Sequence, residues 1–283
     1  MSLRAAWRRR RAGLLTVTGL ARHGFFIPSR GAAAAADAVP AGYPALDPLF
    51  AAAEPRMLRL LASIEAMVPT LLAIDAAGAP PPAPRLRQDW FPRLDAAAAY
   101  VLVRERRPAR LVEIGCGHST RWFARAAADD KLGTRLTAID PAPRATLEGL
   151  GVAFVRAPVQ RAGDGVFADL AAGDILSLDG SHVLMPGTDV DVVLNRVLPG
   201  LPSGALVHIH DIFLPDGYPA EWAWRAYNEQ PAVGTLLQGG GWEIVWSSRW
   251  VATRMAARLH AGAVARLPLP EGAYESSLWL EKR

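Results

Sequence analysis

The sequence holds a single cysteine, Cys116, in 283 residues. A disulfide framework or a four-cysteine zinc site within one chain is thereby excluded, and the usage agrees with a reducing compartment. Lysine is nearly as scarce: only Lys131 and Lys282 occur, so arginine carries almost all the positive charge. The net charge of +4 is small and dispersed. That is poor material for a nucleic-acid surface, and no nucleic-acid partner is expected. No stretch reads as long and apolar enough to cross a membrane, so no transmembrane segment is expected. There is no internal repeat. Apolar residues are plentiful at 51%, enough for a sizeable core and against global disorder. The length suits one large α/β domain plus an extension.

The chain opens on a basic segment, Arg4 and Arg8 to Arg11, followed by an apolar run from Ala12 to Leu20. An export signal has such a start. This run, however, is short, is interrupted by Thr16 and Thr18, and meets Arg22 and His23; Ala32 to Ala36 only mimics a cleavage site. The expectation is a basic surface helix in a cytoplasmic protein. The alternative is an arm that docks on a membrane surface or a partner. Ala45 to Asp75 has helical apolar spacing, with Pro55 and Pro69 expected to break it into pieces. Ala76 to Pro84 is rich in proline and reads as a linker. Residues 1–85 are thus expected to be a helical N-terminal extension with a Pro-rich linker at its end, and 86–283 the main domain. Self-association is left open.

From there strands and helices alternate. Leu94, Ala97, Ala98, Val101 and Leu102 mark an amphipathic helix. Strands are expected at 110–114, 136–139, 152–155, 175–178, 205–209, 243–246 and 277–281. Helices are expected at 189–198 and 221–230, with Pro231 forcing a break or restart. This alternation predicts a parallel, doubly wound sheet, whose ligands lie at the carboxyl ends of the strands.

The most informative stretch is Leu111-Val112-Glu113-Ile114-Gly115-Cys116-Gly117-His118-Ser119-Thr120. It reads as a buried strand, a tight glycine turn and a helix start capped by Ser119. Such a unit brings backbone N–H groups near a ligand. Asp140, closing the next strand, is placed to meet a ribose. A dinucleotide site wants a third glycine where Thr120 stands. Glu113 beside a pyrophosphate is also unfavourable; it suits a cationic ligand better. Cys116 is a small residue packed in the turn rather than a nucleophile.

Two strand-end clusters carry acid and imidazole together: Asp179-Gly180-Ser181-His182 and His208-Ile209-His210-Asp211. Asp179, His210 and Asp211 are candidate ligands of one divalent ion. His182 and His210 are the candidate bases, since imidazole titrates near neutrality. His208, deeper on its strand, is expected to be a hydrogen-bonded core residue. By strand alternation Asp211 points away from His210 unless the strand has ended. Tyr218, Trp222, Trp224 and Tyr227 form no clean stripe; they line an acceptor pocket or pack a lid.

The E-x-G-x-G pattern at Glu113, Gly115 and Gly117 resembles motif I of class I S-adenosylmethionine (SAM)-dependent methyltransferases. Further blocks resemble a bacterial branch of that family: Asp174 to His182 (D-I-L-S-L-D-G-S-H), Val207 to Pro215 with Tyr218-Pro219, Asn228-Glu229-Gln230, and Gly24 to Pro28. The resemblance implies a Rossmann-like, mostly parallel seven-stranded sheet and a SAM cofactor. Its expected contacts are Glu113, Gly115, Cys116, Gly117, Ser119, Thr120, Asp140 and Asp179. It implies methyl transfer, expected at a hydroxyl oxygen of a small-molecule or glycan-like acceptor. Asp179 and His210-Asp211 are also placed like the metal ligands of catechol O-methyltransferases, which carry Asp-Asn at the second position; the Asp-Gly-Ser-His spelling is similar to macrolide sugar O-methyltransferases that use Mg2+. A divalent cation such as Mg2+ is the implied metal. Two rivals stay open: an NAD-dependent oxidoreductase, and a non-catalytic cofactor-binding or partner protein.

Overall fold

The computed structural model describes residues 3–37 and 40–283. The chain falls into two compact units, Met1–Ala41 and Gly42–Arg283. The first holds α1 (Leu3–Val17) and α2 (Ala32–Asp37). Arg8, Arg9, Arg10 and Arg11 of α1 are exposed.

The second unit runs α3 (Asp47–Ala76), α4 (Arg93–Arg106), β1 (Arg110–Ile114), α5 (His118–Asp129), β2 (Arg135–Ile139), β3 (Ala153–Val155), α6 (Gly165–Ala168), β4 (Ile175–Leu178), α7 (Asp189–Val192), β5 (Leu206–Ile209), α8 (Glu229–Gln238), β6 (Trp242–Ser247), α9 (Ser248–Thr253), α10 (Ala256–Ala261) and β7 (Leu278–Lys282). All seven strands expected from sequence are present, displaced at their ends by at most a residue or so.

Helix α3 corrects one expectation. It is continuous through Pro55 and Pro69 rather than broken. An interior proline costs about 3 kcal/mol. Burial returns about 1.5–3 kcal/mol for each large apolar side chain. Eight such side chains, including Phe50, Met57, Leu61, Ile64, Val68 and Leu71, are buried on one stripe. Both prolines lie on the opposite, exposed side, where a carbonyl left without its donor can turn to water. By length and composition this helix is apolar enough to cross a bilayer, against the expectation that no stretch is. Its apolar stripe packs on α4 and β6 instead, with Phe50 stacked on Trp250 at 5.6 Å.

Helix α4 is not amphipathic as expected, being buried continuously from Arg93 to Val103. The buried Arg93 is neutralised by two bonds of 2.8 Å to Glu275. The helix ends on Arg107 in left-handed conformation (φ 48°), just before Pro108 and β1. The predicted helix at 221–230 also breaks elsewhere. A short 3-10 turn spans Ala220–Arg225 and stops at left-handed Ala226, and Pro231 sits in the first turn of α8. That turn needs no proline N–H, so Pro231 lies where a helix restarts, the second of the two outcomes expected for it.

The sheet order is β3-β2-β1-β4-β5-β7-β6. The first five strands are parallel, and β7 runs antiparallel to β5 and β6. Register matters most for function. Ile114 pairs with both Ile139 and Leu178, and Leu178 pairs with Ile209. Strands β1, β2, β4 and β5 therefore end level. Gly115, Asp140, Asp179 and His210, each the next residue, fall on one rim.

Candidate active site

The turn after β1 is held by its own protein. Gly115 N–H donates to Ile139 O (2.9 Å), Cys116 N–H to Asp140 Oδ2 (2.9 Å), and Gly117 N–H to Thr120 Oγ1 (2.9 Å). Helix α5 begins at His118 with Gly117 as its cap, so Ser119 is not the N-cap expected from sequence. Its hydroxyl instead donates to Glu113 Oε1, and the Thr120 hydroxyl to Glu113 Oε2, both at 2.5 Å. Glu113 is fully buried beneath the turn. Burial, together with the charges of Asp179 and Asp140, pushes its carboxyl up to about 8, against the two hydroxyl bonds. The Cys116 thiol is pushed up by burial and the same carboxylates, which keeps it neutral.

The two glycines differ. Gly115 has φ +75°, and a Cβ there would lie 1.7 Å from the Asp179 carbonyl oxygen. A Cβ on Gly117 would meet nothing nearer than Ala145 Cβ at 4.0 Å. Space for a ligand is thus open at Gly117. The N–H groups at 115–117 are already engaged, and the carboxylates of Asp140 and Asp179 stand close by. A pyrophosphate would find repulsion and no free N–H at these three positions; a cation finds a favourable field. Asp140 also accepts from Ala142 N–H at 2.7 Å.

Beyond the turn, Asp179, His182, His210 and Asp211 converge. His182 Nε2 is 3.3 Å from Asp179 Oδ1 and 3.4 Å from Asp211 Oδ2. His210 Nδ1 is 3.5 Å from Asp179 Oδ1 and from Asp211 Oδ1. The strand has ended at Ile209, and Asp211 has φ +57°, which turns its side chain back beside His210. His182 is likewise left-handed, at φ +57°. Two non-glycine residues in this region at one rim mark locally strained backbone, as functional sites often carry. Burial alone would drive protons off both imidazoles. Asp179, Asp211 and their partners outweigh it and hold His182 and His210 well above the ordinary value. The imidazoles in turn hold Asp179 well below the carboxylate range, against the cost of its burial. At 30% exposure, its side chain is the most open of the four.

Sequence reasoning missed two buried carboxylates behind these imidazoles. Glu229 Oε2 lies 2.9 Å from His182 Nδ1, and Asp95 Oδ2 lies 3.2 Å from His210 Nε2. Asp95 sits in the first turn of α4 and is also held by the N–H groups of Ser276 and Ser277. The signal for Asp95 was a lone acid inside an apolar helix; Glu229 stood within the Asn228-Glu229-Gln230 block, with no role read for it. His208 is a core residue as expected, bonded to Ser177 Oγ (2.8 Å) and Ser277 Oγ (2.9 Å); burial takes it down to about 3.

Of the four aromatic residues, Tyr227 reaches the rim, its ring 4.5 Å from that of His182. Trp222 and Tyr218 pack around Phe213. Trp224 is half exposed. Arg225 stacks on Trp222 at 3.9 Å and comes within 4.0 Å of Asp211.

The expected metal set, Asp179, His210 and Asp211, does come together. Among the described residues, however, no group of three or more His, Cys, Asp or Glu side chains is gathered as a metal ion requires. Each rim carboxylate faces an imidazole at 3.3–3.5 Å.

Residues 112–212 match the family model described as a methyltransferase domain. No curated protein matches the chain. Among solved structures the chain is similar to the SAH-bound methyltransferase PaMTH1 of Podospora anserina, at 15% identity and TM-score 0.39 over 92% of this chain and 99% of that one. It is also similar to the O-methyltransferase TomG of Streptomyces achromogenes, involved in tomaymycin synthesis and bound to SAM, at 16% identity and TM-score 0.41 over 75% and 88%. An SAH complex of an O-methyltransferase from Bacillus cereus is similar at 12% identity and TM-score 0.40 over 77% and 91%. The strand order is that of a Rossmann-like sheet, and residues 112–212 within it are similar to a methyltransferase domain.

Proposed function

We propose that the protein is a SAM-dependent O-methyltransferase acting on a hydroxyl of a small-molecule or glycan-like acceptor, with His182 as the general base. One observation carries this reading: the glycine turn with Asp140, and the Asp179–His182–His210–Asp211 cluster, share one rim. When bound, the cofactor would supply a methyl group already activated on a sulfonium sulfur. The chain has three remaining tasks. Gly117 leaves room for the cofactor, and Asp140 is the acceptor for its ribose hydroxyls. Asp140 and Asp179 form an anionic surround for the cation, and Glu113 braces the turn through Ser119 and Thr120. His182 Nε2 takes the acceptor proton as oxygen attacks carbon in line. The aromatic residues around Tyr227 give the acceptor an apolar wall. The dinucleotide alternative is disfavoured by the engaged N–H groups of the turn.

Two results test this. Asp140→Ala should weaken S-adenosylhomocysteine binding in calorimetry by about 1–3 kcal/mol, the scale of an unmade charged hydrogen bond. Unaltered affinity would remove Asp140 from the cofactor site. Turnover of SAM is to be measured with a panel of phenols and methyl glycosides, before and after chelator treatment. Chelation should leave the rate unchanged, whereas Asp211→Ala lowers it. A rate lost equally in both would restore Asp179, His210 and Asp211 as a metal set.

A further inference from the structure

Three consecutive residues opening α8 contact both rim loops. Asn228 N–H donates to His182 O (3.1 Å), Leu184 N–H donates to Asn228 Oδ1 (2.6 Å), and Asn228 Nδ2 returns to Leu184 O (3.3 Å). Glu229 meets His182 Nδ1 at 2.9 Å. Gln230 Oε1 accepts from Phe213 N–H (3.0 Å), its Nε2 donates to Asp216 O (3.2 Å), and its N–H donates to Tyr218 OH (3.3 Å). The loop after β4 carries Asp179 and His182; the loop after β5 carries His210 and Asp211. One tripeptide therefore staples the two halves of the rim to each other.

Glu229 stands out within it. It is fully buried, and its second oxygen, Oε1, has no hydrogen-bond partner. A buried, half-satisfied carboxylate costs stability. A residue needed only for packing would do better as an apolar side chain. We infer that Glu229 is the positioning residue for the base: it accepts the Nδ1–H of His182 and so presents Nε2 to the crevice between Asp179 and Asp211. The inference rests on His182 being the base. Fixing the imidazole through the nitrogen away from the reaction selects the tautomer whose free lone pair can take a proton. A carboxylate behind a catalytic histidine does this elsewhere. Tyr227, tilted 43° over the ring, closes the other side. Asn228 holds the left-handed backbone of His182 that the geometry requires.

The test uses the full chain with S-adenosylhomocysteine and 15N-labelled histidine. The wild-type protein should show a slowly exchanging, far-downfield Nδ1–H resonance from His182, and Glu229→Gln should move it upfield or abolish it. Absence of that signal in the wild type, or an identical signal in Glu229→Gln, overturns the inference. With the acceptor identified by the panel, Glu229→Gln should lower kcat about 10- to 100-fold or more, while both KM values stay within about twofold. If His182→Ala loses turnover and Glu229→Gln does not, the positioning role fails and the base assignment stands. If His182→Ala is fully active, the base assignment itself falls. Should Glu229→Gln not fold, the wild-type resonance alone decides.

Discussion

Replacing His182 with alanine is expected to lower turnover by about 100-fold or more, the usual scale for losing a general base, while cofactor affinity barely changes. The side chain is buried and its Nε2 faces the two rim carboxylates, whereas the glycine turn owes none of its hydrogen bonds to it. Chemistry and cofactor binding are thus separable. The same variant leaves Asp179 facing only His210 and the buried Glu229 without its one partner, so a clear loss of stability should accompany the large loss of rate. The pH dependence follows from charge. His182 is held protonated well above the ordinary histidine value by Asp179, Glu229 and Asp211 against its burial. A base must first be neutral, so turnover should climb as pH rises beyond neutrality. Asp179→Asn removes a charge that favours the imidazolium, so the climb should move to lower pH. A flat profile, or full activity in His182→Ala, would place the base elsewhere.

Gly115→Ala and Gly117→Ala are expected to fail in different ways. At Gly115 a side chain faces a left-handed backbone and a carbonyl oxygen 1.7 Å away. The first costs about 1–2 kcal/mol. Displacing the end of β4 adds about 1–3 kcal/mol or more, the range for overpacking. The melting temperature should therefore drop clearly, and His182 should lose its alignment because Asp179 moves. At Gly117 the added methyl finds no protein atom nearer than 4.0 Å. Melting should be unchanged, while affinity for S-adenosylhomocysteine falls, since the methyl occupies the proposed cofactor space. Differential scanning calorimetry and titration calorimetry on both variants separate the two roles. Equal melting temperatures for Gly115→Ala and the wild type would contradict the close approach of β1 and β4. Unchanged affinity in Gly117→Ala would move the cofactor away from this turn.

Much of this molecule is local in origin. Short apolar runs such as Arg110–Ile114 and Ile175–Leu178 are buried on both faces, and that composition alone marks central parallel strands. Their order of alternation with helices is enough to imply that their carboxyl ends share a rim. Glu113, Gly115, Asp140, Asp179, His182 and Asp211 were legible because each stands at a strand end, where spacing in sequence becomes position in space.

The remainder depended on partners distant in the chain. Pro55 and Pro69 looked like helix breaks because propensity is local, whereas the burial that overrides them comes from α4 and β6. Ser119 looked like a cap, but Glu113, six residues earlier, claims its hydroxyl. Whether Asp211 pointed away from His210 hung on where the strand ends, and the end at Ile209 with a left-handed Asp211 decided it. Asp95 and Glu229 lie 115 and 47 residues from the histidines they hold, and no period or spacing in the sequence reveals those contacts. The sequence by itself determined the strands, their ends and the chemical groups placed there, since these follow from side-chain polarity and backbone preference along a few residues. Only the tertiary structure decided which nitrogen of each histidine faces the crevice and which carboxylate stands behind it, because those choices are made by desolvation and hydrogen bonding between segments that meet only after folding.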